Sequence, residues 1–286
     1  MTYTEVRALR DAQRDGVCFR RTVTLGRQWL LAGPRDLARA LAGCRVDAAA
    51  KAKLLADPPK WADELFRLFG AAEVSALDAS PYEGADILHN LNDPPPPGLA
   101  GRFDLVFDGG TTEHVFDVPR ALRTAMELAS VGGHVLVSVP ANNALGHGLY
   151  QFSPELYYRV FAPENGFEVR WVTLTEAWSG KRYAAADPAK LRRRVELYAT
   201  APTLMLTALA RRVADVPIFA NPPAQSDYAA AWDGEARPHA PAARPWHRRL
   251  LSRFGERFAP GLIGYVRYRR SLDLKWHPDL FRPLAD

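Results

Sequence analysis

The stretch that decides the fold is "FDLVFDGGTTEHVFDVP", residues 103–119. Its first part, "FDLVFDGG" (103–110), is nearly continuous in apolar residues before Asp108, which suits a strand buried on both faces. Strands of that kind belong to sheets covered by helices on both sides. The chain then leaves the strand through a Gly-Gly-Thr-Thr turn flanked by two carboxylates, Asp108 and Glu113, with His114 directly after. Such residues at a strand exit serve either chemistry or an ordinary turn, and the neighbouring segments have to decide between the two.

Downstream, "PRALRTAMELAS" (119–130) carries Pro at a first helical position and reads as a helix, and "GGHVLVSVP" (132–140) reads as the next strand. "SPELYYRVF" (153–161) is a helix capped by Ser153; "GFEVRWVTL" (166–174) and "KRYAAAD" (181–187) are two more strands. Upstream, "RRTVTLG" (20–26), "EVSALDAS" (73–80) and "ADILHNLN" (85–92) are strands, the last ended by the Pro run 94–97. "PRDLARALAG" (34–43) and "KWADELFRLFG" (60–70) have helical apolar spacing and stop at glycine. The alternation predicts an α/β fold, a doubly wound and mostly parallel seven-stranded Rossmann-like sheet over residues 1–187. Residues 188–286 read as a C-terminal helical and loop appendage: helix-rich at 188–213, looser at 217–232, and Pro/Ala/Arg-rich at 235–245.

Composition sets outer limits. The chain has 286 residues, 48% hydrophobic and 24% charged, as an ordinary globular protein does. The first twenty residues lack the apolar core of a signal peptide, and "LYATAPTLMLTALA" (197–210), broken by Pro202, is too short to cross a bilayer. The expectation is a cytoplasmic protein with no transmembrane segment. Two cysteines, Cys18 and Cys44, make neither a disulfide framework nor a metal site. The net charge of +5 is uneven: residues 237–286 hold eleven Arg and Lys against four acids, a net +7, and leave the rest at −2. That tail is either a solvated flank or a surface for phosphate, acidic glycan or membrane, the last a weak contact.

In open α/β sheets ligands bind beyond the carboxyl ends of the strands, where the strand order reverses. The predicted strand ends carry Gly26-Arg27-Gln28, Asp78, Asn90, Asp108-Gly109-Gly110 and "PANNALGHGLYQFSPEL" (140–156). An acid at the tip of the second strand accepts both ribose hydroxyls of an adenosine-containing cofactor, or simply caps the next turn.

Taken together, "ALDAS", "FDLVFDGGTTEHVFDVPRAL", "VGGHVLVSVP" and "GFEV" resemble class I S-adenosylmethionine-dependent methyltransferases over residues 20–187. "YEGADILHNLN", "ANNALGHGLYQFSPELYYRVF" and "PPAQSDYAAAW" resemble, more narrowly, a bacterial subgroup with a shortened glycine turn after strand one. The resemblance implies S-adenosyl-L-methionine as cofactor. It implies Asp78 on the ribose, Asn90 and Leu91 beside the adenine, and Asp108, Gly109 and Glu113 under the methionine part. Most of the family has "GxGxG" after strand one, whereas "LGRQ" (25–28) offers Gly26 alone. Arg27 is the residue that would compensate, by pairing with the methionine carboxylate.

Methyl transfer to a hydroxyl is helped by a base, and histidine suits neutral pH. His147 in "GHGLYQF" and His114 are the two candidates, each equally readable as structurally satisfied; His89 and His134 are expected in the core. Tyr150, Gln151, Asn142 and Asn143 either orient an acceptor or pin their loop. No Cys/His cluster, Walker loop or nucleophile elbow is visible in the sequence, so no metal site is expected. The expected activity is methyl transfer to a small molecule or sugar, on oxygen. The alternative is a non-catalytic cofactor-binding or scaffolding protein with the same fold. Nucleic acid ranks last as a partner, since "DGGT" stands where amino-methylating DNA enzymes carry an "NPPY"-like motif. "QSDYAAAW" is expected to close over the acceptor side as a lid, or to lie as a strap burying Tyr228 and Trp232.

Overall fold

The computed structural model describes residues 1–95, 97–191, 202–232, 274–276 and 278–285. Its sheet is built from β1 (Arg21–Leu25), β2 (Glu73–Asp78), β3 (Ile87–Leu88), β4 (Phe103–Asp108), β5 (Ala129–Asn142), β6 (Phe167–Glu176), β7 (Arg182–Ala185), β8 (Leu204–Arg212) and β9 (Phe281–Leu284). Their spatial order is β3-β2-β1-β4-β5-β8-β6-β7-β9.

The half from β3 to β5 is parallel, and it follows from the residues that opened the sequence reading. Asp104 is the one residue of β4 that is not buried. Phe103 and Val106 enter the core on one face, Leu105 and Phe107 the core on the other. The helices divide accordingly. α1 (Tyr3–Arg14), α2 (Pro34–Ala40), α3 (Ala48–Ala56) and α4 (Asp63–Leu68) bring Leu9, Leu37, Leu54 and Leu65 against Leu105 and Phe107. α5 (Val118–Leu128) and α6 (Pro154–Val160) bring Leu122, Met126, Tyr157 and Val160 against Val106. α1 begins in a capping box: Thr2 accepts from the Thr4 amide, and Glu5 accepts from the Thr2 amide.

Beyond β5 the sheet departs from expectation. It has nine described strands rather than seven, and every pairing from β5 outward is antiparallel, so it is mixed rather than mostly parallel. Residues 204–212, expected within a helix-rich stretch, form β8, which inserts between β5 and β6. Leu, Met and Ala favour helices in isolation, but a strand paired on both edges and buried on both faces follows its surroundings. β9, from the C-terminal end, pairs with β7, so chain beyond residue 187 completes the sheet rather than only decorating it. Buried Arg212 at the end of β8 fastens this half to the other: its Nη1 donates to the carbonyls of Glu127 (3.2 Å) and Ala129 (2.7 Å), at the end of α5. The Glu127 carbonyl, one of the last of α5, also accepts from the Gly101 amide at 2.8 Å, so Arg212 shares in satisfying the end of the helix.

Among the described residues, two short helices lie past β7, α7 (Pro188–Leu191) and α8 (Ser226–Trp232). The Pro/Ala/Arg-rich stretch 235–245 and most of the basic residues of 237–286, with the membrane-surface contact expected of them, lie outside the described residues. No described helix is long and apolar enough to cross a membrane.

Candidate functional site

The order β3-β2-β1-β4-β5 places the reversal between β1 and β4, the switch point at which doubly wound sheets bind ligands. The loops leaving these two strands meet at one atom: the Leu25 carbonyl accepts from Thr111 Oγ1 at 2.6 Å and from Gln28 Nε2 at 2.9 Å. Gly26, the residue between, has φ +67°, and its amide donates to the Leu77 carbonyl at 2.7 Å. A Cβ there would lie 2.8 Å from Thr111 Oγ1 and 3.7 Å from Asp78 Oδ2. The lone glycine of the turn is therefore required by conformation and by space, and it leaves bare backbone beside the tip of β2.

Asp78 ends β2, half-buried, with Oδ1 accepting from the Ser80 amide at 3.1 Å and Oδ2 on the Gly26 side. The following loop is stapled to the exit of β1. Arg27 donates to the carbonyls of Glu83 (3.0 Å) and Gly84 (3.1 Å), reaches Asp63 at 3.6 Å and lies over the Trp61 ring. The Trp29 indole donates to Glu83 Oε1 at 2.8 Å. Arg27 is thus a brace of the pocket wall, with its guanidinium committed to protein partners. Asn90 is exposed, and its Oδ1 is taken by the amide and side chain of Asn92; Leu91 is buried in the core. Gly109 faces inward: a Cβ there would meet Gln28 Oε1 at 2.3 Å and the Phe107 ring at 2.6 Å. Gln28, placed at a strand end by the sequence but given no role there, is buried and fills the space between the two loops.

The carboxylates of the opening stretch differ in environment. Asp108 is fully buried and accepts from the Thr111 amide at 2.9 Å and Thr112 Oγ1 at 2.5 Å. Burial nevertheless raises its pKa above the ordinary carboxylate value, those hydrogen bonds opposing the rise. Glu113 has a side chain 1% exposed and neither oxygen hydrogen-bonded. Burial, and then the charges of Asp108 and of Glu5 from α1, push its pKa up to about 8.

His114 and His147 come together on Glu113. Glu113 Oε1 stands 3.4 Å from His147 Nε2 and 4.0 Å from His114 Nε2, and the two rings meet edge to face at 5.0 Å. Burial, with His147 second, lowers the His114 pKa. The loop bearing His147 is fixed by the Glu113 carbonyl, which accepts from the amides of Leu149 (2.7 Å) and Tyr150 (3.2 Å). Its polar residues are used to pin it: Gln151 accepts from the Ala144 amide, the Tyr150 hydroxyl donates to Phe116, and Asn143 donates to Pro202. His134 is buried as expected, whereas His89 lies just past β3 and is half-buried.

Beside that loop a cleft of about 540 Å³ opens at the end of β5, between Asn142, Phe152, Leu174, Leu204, Gln225 and Phe281. α8 borders it through Ser226, which donates to Glu155. Tyr228 and Trp232 stack on each other at 6.1 Å and are exposed, so α8 is not a strap that buries them.

No protein-family model matches the chain, and no curated protein matches it. Solved structures to which it is similar include a protein described as a sarcosine dimethylglycine methyltransferase from Galdieria sulphuraria, at 14% identity and TM-score 0.41, covering 74% of this chain and 85% of that one. Another is a Bacillus halodurans protein described as a methyltransferase, at 11% identity and TM-score 0.38, covering 72% and 99%. A third is 1,6-didemethyltoxoflavin-N1-methyltransferase from Burkholderia thailandensis, at 15% identity and TM-score 0.38, covering 73% and 77%.

Proposed function

We propose that this chain is an S-adenosylmethionine-dependent methyltransferase acting on a small-molecule or sugar acceptor, on oxygen. The observation that carries the reading is the pairing, at the switch point of the sheet, of bare Gly26 backbone with the Asp78 carboxylate at the tip of β2. That is the arrangement an adenosine ribose takes in doubly wound sheets: an acid for the hydroxyls beside a turn that lets the ligand approach.

On this reading Asp78 holds the ribose, Gly26 and Gly109 bound the cofactor side, and Asp108 and Glu113 form its floor. Bound there, S-adenosylmethionine supplies an already activated methyl group, so the protein's part is positioning, exclusion of water and handling of one proton. His147, half-exposed and backed by Glu113, is the group we assign to receive the acceptor's hydroxyl proton, with His114 beside it. The cleft at the end of β5 is the acceptor side, and Pro188, Leu204 and residues 223–227, at the start of α8, form its outer wall.

The test is a calorimetric titration of the full chain with S-adenosylhomocysteine, which needs no acceptor. Binding in the micromolar range is expected, weakened by roughly 10–100-fold in Asp78→Ala, the loss of hydrogen bonds to a charged group. No binding by the unmodified chain would overturn the reading and leave a scaffold with the same fold.

A further inference from the structure

We propose that Glu113, His114 and His147 form a binding site for a divalent transition cation of the zinc type. Their ligand atoms, one carboxylate oxygen and two imidazole nitrogens, lie within 4.8 Å of one another. Two imidazoles and a carboxylate are a donor set that such ions take, with a position left open for water or a substrate oxygen.

The second observation is the state of Glu113. Its side chain is 1% exposed, both oxygens lack a hydrogen bond, and Oε1 is directed at the two histidines. Buried polar atoms are rarely left bare, and a carboxylate is among the costliest to leave so. A cation between the three side chains would satisfy it.

Spacing agrees. Ligands about 2.0–2.1 Å from a tetrahedral ion lie roughly 3.3 Å apart. The Glu113–His147 distance of 3.4 Å already meets this, while the Glu113–His114 distance of 4.0 Å and a spread of up to 4.8 Å within the cluster have to close by rotation of the histidine side chains. The histidine side chains are 51% and 60% exposed, so they can turn inward without disturbing the core. The backbone keeps the two segments together, through the bonds from Leu149 and Tyr150 to the Glu113 carbonyl. A bound cation takes the imidazole lone pairs, so its presence would also replace His147 as the group acting on an acceptor hydroxyl. Binding of the ion itself does not depend on methyl transfer.

The experiment uses the full chain, stripped with a chelator and titrated with zinc chloride by calorimetry and with cobalt(II) by visible absorption. One ion per chain at micromolar affinity or tighter is expected, with the absorption of a low-coordinate cobalt site. Glu113→Gln and the double variant His114→Ala/His147→Ala should each weaken binding by more than ~100-fold, beyond the ~10–100-fold governed by groups that only support ligands. Unfolding midpoints of the histidine variants should stay near the parent's, since both side chains are half-exposed. No ion bound by the unmodified chain, or equal affinity in the double histidine variant, would overturn the proposal. Zinc binding lost while S-adenosylhomocysteine binding persists leaves the methyltransferase reading standing, and the reverse result removes it without touching the metal site.

Discussion

Gly148 packs against Glu113 so closely that a Cβ on the glycine would stand 2.9 Å from both Glu113 Cγ and the Glu113 carbonyl oxygen. Through this approach two segments distant in sequence share one site, because His147 is carried next to Glu113 by the residue that follows it. The glycines flanking His147 have unequal roles. Gly148 has φ +72°, while Gly146 has nothing within 4 Å of where its Cβ would be.

Gly148→Ala should therefore be costly and Gly146→Ala close to neutral. The left-handed conformation alone costs ~1–2 kcal/mol for a residue with a Cβ, and the contact with Glu113 adds to it. Denaturant unfolding should show a fall of about 2 kcal/mol in Gly148→Ala and less than ~0.5 kcal/mol in Gly146→Ala. Equal effects would mean that the loop is not held by this contact.

Gly26→Ala should disturb the proposed cofactor pocket through Thr111. The new Cβ falls 2.8 Å from Thr111 Oγ1, which is bonded to the Leu25 carbonyl. The expected result is a loss of roughly 1–2 kcal/mol in stability from φ +67° and at least ~10-fold weaker S-adenosylhomocysteine binding. Adding Thr111→Ala removes the clashing atom, so the double variant should bind better than the two single losses added together. Strict additivity would show that Thr111 is not the obstacle.

The parallel half of the sheet was legible because burial on both faces writes itself into β4 as an unbroken apolar run ending in Asp108. β8 was not, because "LMLTALARR" is rich in helix formers and becomes a strand only between β5 and β6, a contact no local pattern encodes. α1 was within reach and missed: "TYTE" at residues 2–5 is a capping box in plain sequence. Asp78 and Gly26 could be placed at strand ends, yet that Arg27 braces the wall depends on Trp61, Asp63 and Glu83 folding back on it. The convergence of Glu113, His114 and His147 on one point was illegible for the same reason. The sequence places all three at strand exits, and it takes a loop crossing set by Gly148 to bring His147 onto the adjacent pair.

Arg212 offers a test of how the two halves of the sheet are joined. It is 5% exposed and serves two helix-end carbonyls, while its ionic partner Asp215 is 82% exposed. Arg212→Met should cost about 1–3 kcal/mol, because two carbonyls near the end of α5 each lose a charged donor, Glu127 keeping only the Gly101 amide. Asp215→Ala should cost less than ~1 kcal/mol, since the partner charge is solvated. Similar costs for the two would place the value of Arg212 in its ion pair rather than in its cap of α5.

The pH dependence of folding should carry the mark of His134. It is 7% exposed on β5, its Nδ1 has no hydrogen-bond partner, and its cross-strand neighbour on β8 is Arg211. Burial first, and then the charges of Arg211 and Arg170, push its pKa down to about 4 from the ordinary 6.5. The unfolded chain therefore takes up a proton below pH 6.5 that the folded chain refuses until about pH 4. Stability from this residue is whole above pH 6.5, falls through that window by up to ~1.4 kcal/mol per pH unit, and levels off below it. His134→Leu removes the titrating ring at similar volume, so its stability should decline less between pH 6.5 and 4 than the parent's, with the total difference at most ~3.4 kcal/mol. Denaturant unfolding of both proteins at half-unit pH steps measures it. Parallel curves would show that His134 is protonated in the folded chain as readily as in the unfolded one, with Arg211 turned away from it.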